Sequence, residues 1–311
     1  MRIAYVEITR DCNLGCIFCS VAGTEKVVHG VRELEDFLRR QEERGFEKVL
    51  ITGGEPLLSQ ELERLVRYAL SLGFREVSIQ TNGTLMSKEK ARSLKEAGVD
   101  QVVFSIHSHL PLMVDRIMKG KGVLKKQLTG LVNAYEAGLV TCVTVVITRQ
   151  NYRILPSFLG FMVENYPFVK HYTLNFVDPV GRSEGRKEIV PKYSELEPFL
   201  LSTLLLLENA GKSFRVERVP LCYMTEFAEY STELRRIVTE EPNVVKRRGE
   251  GIIHVKNYFE REYVYGEACS QCWLKAVCPG VKDGYAELYG TDELYPVFIR
   301  PEAIISRAGE D

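Results

Sequence analysis

No stretch of this 311-residue chain approaches the roughly 18 uninterrupted apolar residues of a membrane-spanning helix. The longest candidate, Phe199 to Leu207, is broken by Ser202 and Thr203. Neither sign of charge is in excess: 41 basic and 42 acidic residues leave a formal net charge of −1. That balance gives no general pull toward nucleic acid or an anionic membrane, and neither partner is expected. The short basic run Lys246-Arg247-Arg248 reads as a solvated loop. Internal repeats and low-complexity tracts are lacking, and no secretory leader is visible, because Met1-Arg2 leads straight into a short apolar strand. A cytoplasmic protein is therefore expected. Eight cysteines in that reducing compartment read as metal ligands rather than disulfides.

What the chain does have is alternation. Short apolar strands at Ile3–Ile8, Lys48–Thr52, Glu76–Gln80, Gln101–Ile106, Val140–Ile147 and Tyr172–Phe176 are separated by amphipathic helices. The helices lie near Val31–Gln41, Glu61–Leu72, Ser87–Ala97, Leu124–Ala137 and Leu155–Asn165, several of them stopped by glycine. Strands alternating with helices of this length imply right-handed crossovers and a parallel sheet. The expected fold class is α/β, a partial (β/α)6 TIM-like barrel over residues 1–178, because alternation stops after Phe176. A Pro/Gly/charge mixture from Asp178 to about Glu195 reads as a connector into a second module, residues 179–311. That module should contain an apolar helix near Glu197–Asn209, a turn at Val219-Pro220-Leu221-Cys222, a charged helix near Thr232 and a hairpin around Ile252–Val264.

The chemistry is concentrated in Asp11-Cys12-Asn13-Leu14-Gly15-Cys16-Ile17-Phe18-Cys19, directly after the first strand. Working loops of parallel α/β folds lie at that end of the strands. Thiolates are soft ligands that select zinc, copper(I) or iron–sulfur clusters, and three on one loop can hold three corners of a cubane. The fourth iron is then open to a small molecule, whereas a zinc knuckle would borrow a distant cysteine to close itself. The Cys-x3-Cys-x2-Cys spacing, with Phe18 before the last cysteine, resembles the signature of the radical S-adenosylmethionine (SAM) superfamily. The resemblance implies a [4Fe–4S] cluster on Cys12, Cys16 and Cys19 whose open iron chelates SAM. One electron, from a low-potential donor such as ferredoxin or flavodoxin, then yields a 5′-deoxyadenosyl radical that abstracts hydrogen from a substrate.

Thr52-Gly53-Gly54-Glu55-Pro56 follows the second strand and resembles the Gly-Gly-Glu-Pro motif of that family, which implies that Gly53, Gly54 and Glu55 engage the SAM amino group. Two glycines permit close backbone approach, and a carboxylate can accept from an ammonium. Asn82, ending the third strand, and Ser105, ending the fourth, stand where the family places polar contacts to SAM, and Phe18 would pack beside the adenine. His107 and His109 flank the same mouth, where a histidine reads first as a polar rim residue and second as a proton carrier.

Near the C-terminus, Cys269, Cys272 and Cys278 form a Cys-x2-Cys-x5-Cys set that resembles SPASM and twitch extensions, which bind auxiliary [4Fe–4S] clusters. The full SPASM pattern continues with a cysteine where this chain has Lys282, which argues against two auxiliary clusters. By count, Cys222 is the natural fourth ligand of one auxiliary cluster, and Cys142, inside a strand, is a small core residue. A four-cysteine zinc site is permitted by the same spacing. The resemblance extends to molybdopterin-precursor cyclases, sulfatase-maturing enzymes and peptide maturases. A peptide or protein undergoing oxidative modification or cross-linking is the first substrate expected, with the auxiliary cluster as electron conduit. The alternative is a small-molecule step of cofactor biosynthesis. A non-enzymatic electron carrier is disfavoured, since it needs no SAM amine site.

Overall fold

The computed structural model describes residues 2–22, 30–239, 244–247, 251–254 and 262–308. Strands β1 (Ile3–Thr9), β2 (Lys48–Gly53), β3 (Glu76–Thr81), β4 (Gln101–Ser105), β5 (Val140–Ile147), β6 (His171–Phe176) and β7 (Ser213–Glu217) pair in sequence order, all parallel. Helices α1 (Val31–Glu43), α2 (Leu62–Leu72), α3 (Lys88–Ala97), α4 (Pro111–Met118), α5 (Val123–Glu136), α6 (Leu155–Asn165) and α7 (Tyr193–Asn209) supply the crossovers. Strand β8 (Val244–Arg247) runs parallel to β1 on its free side, and β9 (Gly251–His254) runs antiparallel to β8. Among the described residues β7 and β9 are the outer edges, so the sheet curls without closing. No helix among them is long and apolar enough to cross a membrane.

The helices face the sheet because their apolar residues recur at helical spacing: Leu34, Phe37 and Leu38 in α1, Leu62, Leu65, Val66 and Ala69 in α2. Each such aliphatic or aromatic side chain stabilises the fold by about 1.5–3 kcal/mol when fully buried. Ser87 caps α3 by accepting from the Lys90 amide at 3.1 Å, and Gly98, at φ +100°, ends it in the left-handed region. Across the sheet, Val6 pairs with Ile51, Ile51 with Ile79 and Ile79 with Val102, all fully buried. That in-register row brings the ends of β1 to β4 to one level, which is where the site forms.

The α/β partial barrel is as expected, with one more unit. Strand β7 continues the sheet past the boundary expected at 178, with Tyr172 opposite Phe214 and Leu174 opposite Val216. It escapes an apolar-run reading because it is an edge strand that alternates, burying only Phe214 and Val216. The hairpin expected around Ile252–Val264 falls earlier in the chain: β9, at its expected start, is the second strand of a hairpin with β8. Tyr263–Val264 (β10) pairs instead with Val281–Lys282 (β11), and the stretch between lies outside the described residues, as does Arg248 of the basic run.

Candidate active site

The strand ends open on a cavity of about 580 Å³. Cys12, Cys16 and Cys19 line one side of it, with Gly53, Gly54, Asn82, Ser105 and Phe18 beside them, so the structure gathers nearly every candidate residue of the barrel into one place. Asn175, Asp178, Arg182 and Arg218 line it as well.

The cysteine loop is held by protein from three directions. The amides of Gly15 and Ile17 donate to the carbonyls of Met118 (3.1 Å) and Ile117 (2.9 Å), the last residues of α4, a helix that the sequence reading leaves out. From the loop after β6, Arg182 donates its amide to the Cys19 carbonyl (3.1 Å) and its guanidinium to the Cys16 carbonyl (3.0 Å). Gly181 permits this approach: at φ +61° a Cβ there would lie 2.6 Å from the Cys19 carbonyl oxygen. The third attachment comes from the glycine pair after β2. A Cβ on Gly53 would stand 2.2 Å from the Thr9 carbonyl oxygen, and one on Gly54 2.2 Å from that of Asp11. The close approach these glycines serve in the structure is thus to the end of β1 and the first residue of the cysteine loop, while both still line the cavity.

Glu55 is placed differently from a carboxylate open to a ligand. It is fully buried, is not among the residues lining the cavity, and accepts from Thr81 Oγ1 (2.6 Å) and the amides of Leu57 (3.0 Å) and Asn82 (2.8 Å). Burial pushes its pKa up against the pull of those three donors. Asn82, so anchored, sends Nδ2 to Asn13 Oδ1 at 2.8 Å and toward Cys12 Sγ at 3.9 Å. The buried Gln127 amide donates to the carbonyls of Asn82 (2.8 Å) and Ser105 (2.7 Å), tying the ends of β3 and β4 together. Sequence reasoning missed Gln127, whose only signal is a polar residue on the inner face of α5.

His107 lines the cavity, as a buried residue and not as part of a solvated rim. It is fully buried, its Nδ1 accepts from the Val146 amide at 3.1 Å, its ring meets Phe18 edge-on at 4.8 Å, and its Nε2 has no partner. Desolvation lowers its pKa to about 3. The unfolded chain takes up that proton near pH 6.5, so the native state loses stability as pH falls from about 6.5 to 3 and gains nothing from this group above 6.5. His107→Gln should therefore show a shallower fall in Tm between those limits than the parent; parallel Tm–pH profiles would remove His107 as the cause. His109 is half-buried, stacked on Phe158 (6.2 Å) and Phe161 (5.5 Å).

Cys222, Cys269, Cys272 and Cys278 line a second, small cavity with Leu221, Leu274 and Tyr295. Cys142 lies apart, buried in β5 opposite Val103 and His171. Burial pushes the Cys222 thiol up to about 12 and that of Cys278 to about 11, with neighbouring thiols adding to the shift. In the first site burial likewise takes Cys16 to about 12. Ligation must then displace protons from both sets. No group of three or more His, Cys, Asp or Glu among the described residues is gathered tightly enough to hold a single ion. Four thiols around one cavity form the donor set of a closed [4Fe–4S] cluster and equally that of a tetrahedral zinc ion. Lys282, standing where a further cysteine would be, is 1% exposed; its ammonium pairs with Glu262 and with Asp178 at 3.6 Å and lies over the Tyr263 ring.

The family model described as "Radical SAM superfamily" matches residues 6–161. A probable GTP 3′,8-cyclase of Sulfurisphaera tokodaii is 31% identical over 213 residues, 68% of this chain and 67% of that enzyme. An Fe-coproporphyrin III synthase of Methanosarcina barkeri is 32% identical over 216 residues, 66% of this chain and 51% of that enzyme. Among solved structures, Streptococcus suis SuiB bound to precursor peptide SuiA superposes with a TM-score of 0.68 at 16% identity, over 95% of this chain and 75% of SuiB. Native anSMEcpe with bound AdoMet superposes with a TM-score of 0.67 at 15% identity, over 99% of this chain and 95% of that one. At these identities the two structures establish the fold alone. The matched core, its three cysteines and the cavity they line agree: the chain belongs to the radical SAM superfamily.

Proposed function

We propose that this enzyme acts on a small anionic molecule in cofactor-type chemistry, with one auxiliary [4Fe–4S] cluster serving electron transfer. The observation that carries the substrate reading is the set of arginines lining the same cavity as the cysteine loop. There Arg218 is held by Asn175 Oδ1 (2.5 Å), Asp178 (3.6 Å) and Glu217 (3.8 Å), and Arg182 donates to the Cys16 carbonyl (3.0 Å); with Arg10 they give the cavity lining three guanidinium groups against the carboxylates of Glu7 and Asp178. The relatives point the same way: GTP is a polyphosphate and coproporphyrin a polycarboxylate. The peptide reading has only the fold likeness to SuiB and anSMEcpe behind it.

Cys12, Cys16 and Cys19 would hold the SAM-binding cluster, and the cavity-facing Gly53, Gly54, Asn82, Ser105 and Phe18 would border the cofactor. Glu55 would act through Asn82 and Thr81, whose positions it sets. A reduced [4Fe–4S] cluster with SAM on its open iron supplies a 5′-deoxyadenosyl radical. Cys222, Cys269, Cys272 and Cys278 would hold the auxiliary cluster, leaving it no open iron.

The test is substrate-dependent formation of 5′-deoxyadenosine by the reduced holoenzyme offered GTP, porphyrin carboxylates and unrelated peptides. An anionic small molecule should stimulate turnover. For it, Arg218→Gln should raise KM about tenfold, the size of one charge-assisted contact. Stimulation by peptides alone would overturn the proposal.

A further inference from the structure

We propose that the exposed basic surface formed by α4, the turn after it and the start of α5 is the docking site of a small acidic one-electron carrier protein. The inference rests on reading the cysteine loop as the site of a reducible cluster. Five exposed cations, Arg116, Lys119, Lys121, Lys125 and Lys126, fall within eleven residues of a chain whose net charge is −1. The acid just before them, Asp115, accepts from the amides of Gly122 (2.8 Å) and Val123 (2.9 Å) and interacts electrostatically with Lys126 and Lys121, so it offsets one of the five charges. The segment from Asp115 to Lys126 therefore carries an excess of cations over its single carboxylate.

Its place in the fold gives the charge a purpose. The C-terminus of α4 is hydrogen-bonded to the cysteine loop, and a Cβ built on Gly15, next to Cys16, would lie 3.4 Å from Lys119 Cβ and 3.5 Å from the Arg182 guanidinium. The basic surface thus abuts the backbone that carries the cluster ligands, yet none of its five cations lines the cavity. A carrier bound here approaches the loop while SAM and substrate keep their own route. At the other end of α4, Leu110 is 41% and Leu112 83% exposed, an apolar contact one turn from Arg116. A small apolar centre with a charged rim suits the weak, fast encounters of electron-transfer partners, where complementary charge steers association. Flavodoxins and ferredoxins, as acidic proteins, have the required sign. One electron leaves the carrier's reduced flavin or iron–sulfur centre and enters the cluster, and no bond is made or broken between the proteins.

The experiment compares two reductants on the reconstituted holoenzyme, flavodoxin hydroquinone, which must dock, and dithionite, which need not. For the wild type, the KM for flavodoxin should rise steeply between about 50 and 300 mM salt, while the dithionite-driven rate stays nearly flat. Lys119→Glu/Lys121→Glu/Lys125→Glu should raise that KM about tenfold or more and leave dithionite-driven formation of 5′-deoxyadenosine within about twofold. Lys121→Glu and Lys125→Glu alone should give intermediate values, which keeps the test valid if the triple variant does not fold. A salt-independent KM, or variants with the wild-type KM, would overturn the assignment. So would binding of duplex RNA at physiological salt by a surface that flavodoxin ignores. Failure of the wild type to cleave SAM even with dithionite would instead bring down the cluster reading, and the docking site with it.

Discussion

Anaerobic, dithionite-reduced protein carrying alanine at Cys12, Cys16 and Cys19 should form no 5′-deoxyadenosine from SAM under conditions in which the wild type does. The loss should be complete rather than partial, because among the described residues these are the three thiols lining the first site, and without them no cluster would be held to bind the SAM amino and carboxylate groups. The fold should survive. The loop is shaped by backbone bonds to Ile117, Met118 and Arg182 and by its contact with the Gly53-Gly54 pair, none of which involves a thiol. Circular dichroism unchanged from the wild type, together with about four irons lost, is the expected signature. Cleavage persisting in the triple variant would sink the assignment of the cluster.

The second large effect is expected at Cys222. In that same triple background the protein should retain about four irons, held by Cys222, Cys269, Cys272 and Cys278 around their shared cavity. Cys222→Ala should then lose or degrade the remaining cluster, because a vacant corner exposes one iron to exchange and oxidation. Cys142→Ala should keep both iron and spectrum, since that thiol is buried in β5 between Val103 and His171 and behaves as a small apolar group. Iron analysis and low-temperature electron paramagnetic resonance of the two variants separate these outcomes. The reverse pattern would move the fourth ligand into the sheet, and a triple variant that binds zinc and no iron would make the module structural.

Local spacing made part of this molecule legible in the chain. Three cysteines within eight residues declare a soft-metal site without any tertiary information, and glycines ending apolar helical patterns mark the crossovers of a parallel sheet. Features depending on partners far along the chain were harder to read. Helix α4 is two turns with Pro111 at its start, too short for periodicity to show, although its last carbonyls carry the cysteine loop. Strand β7 alternates because only one face is strongly buried. The Glu55 side chain could be read as a ligand group only while its three donors, Thr81 Oγ1 and the amides of Leu57 and Asn82, were out of sight. His107 looked like a rim residue because a strand-end histidine gives no sign of its depth. Lys282 breaks a cysteine pattern in the sequence; in three dimensions it is a buried cation bridging Glu262 and Asp178, a link between the second module and the loop after β6.

The attachments of the cysteine loop bear on the order of events when the protein is made. Every contact shaping that loop joins polypeptide to polypeptide, so the barrel can finish folding with its socket ready before iron is delivered. The C-terminal module is built the other way round. The small cluster of buried side chains beside its cysteines comprises Leu221, Ala228, Leu234, Leu274, Val277, Val297 and Ile304. An iron–sulfur cluster held by the four thiols would add cross-links to that small apolar core. Maturation should accordingly proceed in two stages, with the barrel protease-resistant as apoprotein and the segment around Cys269 to Cys278 becoming resistant only as iron is inserted.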